Sequence, residues 1–524
     1  MTQPTTSSAT VRGLSRRDFM QLALAAGLAV PTADRLWAQA ASAPKRGGFF
    51  KMGLGQGATT DVLDPSTFMD FMPGTVCASY ANFLTEVDAD GNIRPDLAES
   101  FEAADGAKTW VFRLRKGVQF HNGRELKPDD VVASIRHHLG PDSKSAVKAQ
   151  LSAINEVKAD GGNVVFTLDA GNADLPYLLS DYHLPILPAK ETGAMDWESG
   201  IGTGPYTLEN WQPGISARLK RNPNYYRDTW FDEVEILSII DVAARMNGLV
   251  TGDLHFADRC DLKTLDLLKR NPNIEIDEVT GFAHATFSMD VTQAPFDNPD
   301  VRNALKYAID RDAILSKIFF GHGIAGNDNP IAPSVKFATN PEPVHKYDPQ
   351  KARELLKKAG LDGLKVDLSA ADTAFAGAVD AALLFKDSAA AAGIDINVIR
   401  EANDAYWETV WGKKPFIASY FSGRPVQDLQ FSLAYTEGAA WNETKWANKR
   451  FNELVAAARI ELDEGKRAAL YAEMQQLVHD DGGTIVLLFI NYVSAHAKTV
   501  AHGKLATDKE LDGTKIASRW WMAE

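Results

Sequence analysis

Residues 202–226 read GTGPYTLENWQPGISARLKRNPNYY. Two turn signals, Gly204-Pro205 and Pro213-Gly214, bracket a run in which Tyr206 and Leu208 alternate with polar neighbours, which predicts a strand between tight turns. At 524 residues the chain is too long for one ordinary domain, so two cores are expected around such elements. Apolar residues at 45% and charged residues at 24% are globular averages, and they exclude a disordered or fibrous body.

Upstream, Ser15-Arg16-Arg17-Asp18-Phe19-Met20 leads into the apolar run MQLALAAGLAV and then Ala38-Gln39-Ala40. This order predicts a twin-arginine export signal over residues 1–40, cleaved after Ala40. The apolar run falls short of the roughly 20 residues that a membrane span needs. Without a cysteine directly after the signal, the mature chain is expected free in a periplasm and not membrane-anchored. The net charge is −14, and cleavage removes four arginines and two aspartates, taking it to −16. An acidic chain with no basic cluster excludes a nucleic-acid footprint. Cys77 and Cys260 are the only cysteines; an oxidising compartment permits a disulfide, and two buried free thiols are the alternative.

Other stretches are equally legible. In residues 82–137, NFLTEVDADGNIRPDLAESFEAADGAKTWVFRLRKGVQFHNGRELKPDDVVASIRH, Trp110, Phe112 and Leu114 alternate as a half-buried strand. Lys116-Gly117 turns it, Val118-Gln119-Phe120 returns, and Pro128-Asp129-Asp130 opens a helix. His121, His137 and His138 are expected to cap and pack. Helices are predicted from Asp241 to Leu249 and from Leu262 to Lys269. In PFDNPDVRNALKYAIDRDAILSKIFFGHG (295–323), Val301, Ala304, Leu305, Ala308 and Ile309 form one apolar helical face ended by Gly321. In YDPQKARELLKKAG (347–360), Asp348 caps, Pro349 opens and Gly360 closes a helix. A last helix from about Lys466 to Asp480 stops at Gly482-Gly483, and TIVLLFI beyond it reads as a buried strand.

These four landmarks, G-T-G-P-Y…W…G with R-N-P-x-Y foremost, resemble the family 5 extracellular solute-binding proteins of ABC importers (dipeptide, oligopeptide and nickel types) over about residues 48–500. The resemblance implies an α/β, two-lobed fold of the periplasmic-binding-protein type II-like kind (cluster C), with a small accessory subdomain and a two-strand hinge. The expected first lobe comprises 41–80, 200–285 and 490–524, the accessory subdomain 81–199 and the second lobe 286–489. The implied partners are a small-molecule solute and an ABC permease heterodimer or homodimer with cytoplasmic ATPases; the receptor itself is expected to be a monomer.

Motifs of chemistry are missing. G-x-S-x-G, H-E-x-x-H, a P-loop and C-x-x-C are all absent, and GLGQG (53–57) lacks the G-x-G-x-x-G spacing. No enzyme, no cofactor and no metal is expected. A periplasmic hydrolase is the rival of another class, set apart by turnover of the bound solute.

The resemblance implies that solute specificity resides in a glycine-centred loop, here Ser419 to Asp428. Peptide-binding members tend to offer an aspartate just after the glycine, which receives the peptide's amine. This chain has Arg424 there, next to Tyr420, Ser422 and Gly423. A guanidinium holds a carboxylate in a bidentate fork and cannot pair with an ammonium. Asp372 stands where dipeptide binders place an arginine. Together these departures favour a carboxylate-bearing solute, such as an opine-like conjugate or a modified amino acid; a di- or oligopeptide is the alternative. A bridge from Arg424 to Asp428 is the structural alternative for that side chain. Trp441 and Asn442 offer an amphipathic face and an amide. Trp407 and Trp411, i and i+4 on an expected helix, are assigned to packing. On the first lobe Asp64, Arg259, His284 and Thr286 complete the candidates, with a plain turn cap as the alternative for Asp64.

Overall fold

The computed structural model describes residues 44–523 apart from 142, 146, 404 and 405; the expected export signal lies outside them. Eleven strands form one mixed sheet that runs through both lobes. Its first-lobe part is built on the strand Phe49–Leu54, which pairs in parallel with Glu233–Ser238 and Phe256–Ala257. Tyr206–Gln212 and Ser216–Arg221 extend it as an antiparallel edge. The second-lobe part holds Leu364–Ala370, Ile394–Arg400 and Phe416–Phe421. Joining them are two long antiparallel strands, Ile274–Met289 and Thr484–Ala497. Both crossings therefore are single strands. Their register slips between Thr280 and His284, a bulge that bends the pair where the lobes meet.

A separate four-stranded sheet, with Thr109–Leu114 between Ala98–Ala104 and Asn163–Leu168, and with Ile154–Asp160 at the far edge, packs on the helix Pro128–Leu139. Phe112, Phe166, Val131 and Leu151 fill its own core. Val118–Phe120 does not return as a strand: only one bridge, Gln119 to Glu125, forms, because Phe120 turns inward to the core and the backbone bonds to Arg124.

The first landmark has a steric reason. A Cβ at Gly202 would lie 2.1 Å from the Tyr80 carbonyl oxygen, and one at Gly204 2.4 Å from the Tyr80 carbonyl carbon. Only glycine lets the two backbones touch. The RNPNYY half folds back on this turn: Asn222 donates from its amide to the Gly204 carbonyl (3.0 Å). Tyr226 donates to the buried Asp96 carboxylate (2.5 Å) from the second landmark.

The third landmark is two helices where one was expected. Pro299–Ala308 ends at Ile309 in extended backbone, and Asp310 caps a new helix, Arg311–Lys317, through the Ala313 amide. The periodic face is correct, with Val301, Ala304, Leu305 and Ala308 buried. The polar residues between them satisfy the carbonyl end of the long helix Glu464–Asp481. Lys306 donates to the His479 carbonyl (2.7 Å), Arg302 to that of Asp481 (2.7 Å) and Asn303 to that of Asp480 (3.0 Å). Cations at a helix C-terminus meet both its unpaired carbonyls and its dipole. Asp348 caps its helix as expected, and Asp241 caps Val242–Thr251, but Leu262–Lys269 shrinks to one turn, Leu265–Leu268, because Asp261 ties Lys263 and Thr264 into a turn.

Asp328 anchors the second lobe. Fully buried, it accepts from Arg311 (2.6 Å), His345 (2.7 Å) and the Val486 amide (3.0 Å). The accessory unit and the second lobe also touch: Asp174 pairs with Arg467 of the long helix (2.5 Å), and the Ala173 amide donates to the Arg459 carbonyl (2.6 Å).

Removing one partner of a buried pair costs about 3–5 kcal/mol. Asp328→Asn is expected to lose stability of that order in urea unfolding at neutral pH. Arg311 holds the Asp328 carboxyl below its ordinary value of 3.8, so this contribution is present above that pH and fades below it as the folded protein protonates. The difference between wild type and variant should narrow accordingly on acidification. Arg467→Gln is expected to release the accessory unit from the second lobe, read as a larger radius of gyration in small-angle scattering.

Candidate functional site

The glycine-centred loop follows the strand Phe416–Phe421, which pairs with the second-lobe half of Ile274–Met289. Gly423 sits against that strand: a Cβ there would lie 2.0 Å from the Phe282 Cβ. This close approach sets the direction of Arg424. Its guanidinium donates to the Ser422 carbonyl, the Ser422 hydroxyl (3.1 Å) and the Gly423 carbonyl (3.2 Å). It forms no ion pair among the described residues, and its Nε is buried without a hydrogen-bond partner. Asp428, the alternative partner, is taken by Arg459 (2.9 Å). Burial pushes Arg424 below its ordinary value, while the nearby Asp181, Tyr182 and Tyr420 hold it up.

Trp441 lies beside this loop, 43% exposed, with the Arg424 guanidinium 5.7 Å from its ring centre. Tyr420 is equally exposed, its ring edge-on to Trp407 at 5.7 Å. His284 is buried between Phe421 and Phe489. Burial lowers its pKa to about 4, so the ring is neutral. Its Nδ1 meets the Phe282 carbonyl (3.2 Å), and Nε2 is left without a partner. Thus Ser422, Gly423, Arg424, Tyr420, Trp441 and His284 are brought into one neighbourhood.

The remaining candidates fall elsewhere or are already engaged. Asp64 caps a short turn through the Ser66 amide (2.9 Å) and binds His137 (2.8 Å), so the capping alternative is what forms. Thr286 is fully buried on the sheet face where Ser288 lies, not on a solvent-facing wall. Asn442 spends its amide on the Thr436 and Trp446 carbonyls (3.1 and 2.8 Å), which shapes the loop. Asp372 accepts from the Val379 amide (3.3 Å) and faces Arg400. Arg259, with φ of 46°, finds the partner it needs in Glu510 (2.9 Å).

Glu510 precedes an unusual turn. Leu511, Asp512, Gly513 and Thr514 are all left-handed, with φ of 59°, 54°, 68° and 65°. Such backbone costs about 1–3 kcal/mol per non-glycine residue and persists only where surroundings enforce it. Asp512 supplies the enforcement, accepting from the Ala506 amide (2.8 Å) and the Trp520 indole (3.2 Å). Beside it, Asp258 is raised to about 6 by burial and by Glu510.

Three participants were missed in the sequence. Tyr182 and Asp181 carry no motif; Asp181, held well below the carboxylate range by His183, faces Arg424 only through folding. Glu443, fully buried, accepts from Ser288 (2.5 Å), Ser419 (2.7 Å) and Trp411 (2.6 Å). It fastens the loop carrying Trp441 to the strand carrying Tyr420. Trp411 lies beyond the short helix Tyr406–Thr409; it packs against the second-lobe core, as assigned, and also donates its indole N–H to Glu443. Cys77 and Cys260 are separate buried thiols, both pushed up to about 12.

Residues 92–443 match the family described as "Bacterial extracellular solute-binding proteins, family 5 Middle". The glutathione-binding protein of Salmonella choleraesuis (strain SC-B67) is 27% identical over 85% of this chain and 90% of its own. A di/tripeptide-binding protein of Pseudomonas aeruginosa (strain UCBPP-PA14) is 28% identical over 76% of this chain and 81% of its own. Among solved structures, the binding protein AgaA from A. tumefacien R10 in complex with agropinic acid superposes with a TM-score of 0.73. It is 23% identical and covers 91% of this chain and 99% of its own, a likeness of fold. The shared sheet, the two crossing strands and the matched span together place this chain in the family 5 solute-binding proteins of ABC transporters, receptors and not enzymes.

Proposed function

We propose that this protein captures a small, carboxylate-bearing solute of the opine or modified amino acid kind in a periplasm, having left the cytoplasm by the twin-arginine route, and presents it as a monomer to an ABC permease. The observation that carries this reading is Arg424: a guanidinium on the glycine loop with no carboxylate partner among the described residues and a buried Nε without an acceptor. A buried unsatisfied donor of this kind costs free energy that an incoming anion recovers. Trp441 beside it supplies an apolar face, and the unpartnered His284 Nε2 supplies a second polar contact. Agropinic acid in AgaA supports the opine class by analogy of fold.

Calorimetry against opines, modified amino acids and other organic acids, beside a panel of di- and tripeptides, tests it. Arg424→Gln is expected to weaken the preferred solute about 10- to 100-fold, since hydrogen bonds to charged groups contribute about 1.5–3 kcal/mol. Tight binding of several unrelated peptides, indifferent to Arg424, overturns the reading in favour of a peptide receptor, which the names of the glutathione- and di/tripeptide-binding relatives support. Glu443→Ala leaves three donors unpaired, so it is expected to lower affinity through the Trp441 loop and to cost about 1–3 kcal/mol of stability in urea unfolding.

A further inference from the structure

Outside the cleft, at the first-lobe root of the two crossing strands, one buried carboxylate receives two imidazoles. Asp277 lies on Ile274–Met289 and His496 on Thr484–Ala497. The register pairs Glu275 with His496, which puts Asp277, two residues on, on the same sheet face. His502 arrives from the chain beyond the short strand Val500–Ala501. His496 Nδ1 is 2.6 Å from one Asp277 oxygen and His502 Nε2 is 3.0 Å from the other. All three donor atoms lie within 4.8 Å of one another.

We propose that Asp277, His496 and His502 bind a divalent transition-metal ion of the zinc class, which fastens the C-terminal segment to the hinge strands. Two imidazole nitrogens and one carboxylate oxygen are a donor set suited to zinc, cobalt or nickel, and too nitrogen-rich for calcium or magnesium. His502 Nδ1 donates to the Gly503 carbonyl (2.7 Å). That bond fixes the tautomer with Nε2 toward the carboxylate, the outer hydrogen bond that ligating histidines ordinarily make. Ring orientation is fixed as well, because Trp520 stacks on His502 at 4.4 Å and stands edge-on to His496 at 5.1 Å. A small cavity of about 30 Å³, lined by Asp277, Ser494 and Trp520 among others, adjoins the carboxylate and has room for a water. The sequence conceals the group, since Asp277 lies more than two hundred residues before the two histidines.

The site is independent of the solute reading, so the two stand or fall separately. Untagged protein stripped with EDTA is titrated with Co²⁺ and Zn²⁺. One equivalent is expected to bind, with visible d–d absorption of the cobalt form at low coordination number and a rise in Tm. His502→Gln and His496→Gln should each weaken uptake about ten-fold or more. If one variant does not fold by circular dichroism, Asp277→Asn takes its place. Absence of stoichiometric uptake overturns the proposal, leaving a hydrogen-bonded triad. So does uptake with unchanged spectrum and affinity in the variants, which places the ion elsewhere.

Discussion

The fold depends on one pairing, the antiparallel ladder between Ile274–Met289 and Thr484–Ala497. Each strand belongs to both lobes, so the sheet that forms the first core continues into the second without a break. A ladder of main-chain hydrogen bonds is stiff across its width and bends most readily where pairing lapses, here between Thr280 and His284. Gly281 stands in that gap with the Tyr492 ring against it, where a side chain would collide. Two lobes joined through strands whose pairing lapses over a few residues have the arrangement of a hinged receptor.

Around this axis the polar groups divide into two kinds. Most are saturated: Asp328, Asp96 and Glu443 each accept from several partners and hold elements in register. A few beside the hinge are not. Among the buried polar atoms without a partner, nitrogens of Arg424 and His284 lie where the glycine loop meets the crossing strand.

The landmarks were legible because their causes are local or nearly so. GTGP requires glycine for the approach of Tyr80, Asp348 with Pro349 makes a helix start by itself, and alternation along Thr109–Leu114 reports a half-buried strand. The site was read less well. Arg424 and Trp441 lie side by side in the fold, whereas Asp64, Asn442 and Thr286 serve as cap, loop brace and core. Nothing in the residues flanking Tyr182 or Glu443 distinguishes them from ordinary surface positions.

The amino-acid order alone therefore determined most of the elements and their sequence along the chain, since propensity, capping and turn chemistry act over a few residues, while the class of receptor followed from the resemblance of its landmarks to a known family. Tertiary structure alone decided which charges are spent and which remain free. Whether Arg259 meets Glu510, Asp181 comes near Arg424, or Asp277 gathers two histidines depends on segments hundreds of positions apart. Electrostatic pairing acts through space, and only the folded chain fixes those distances.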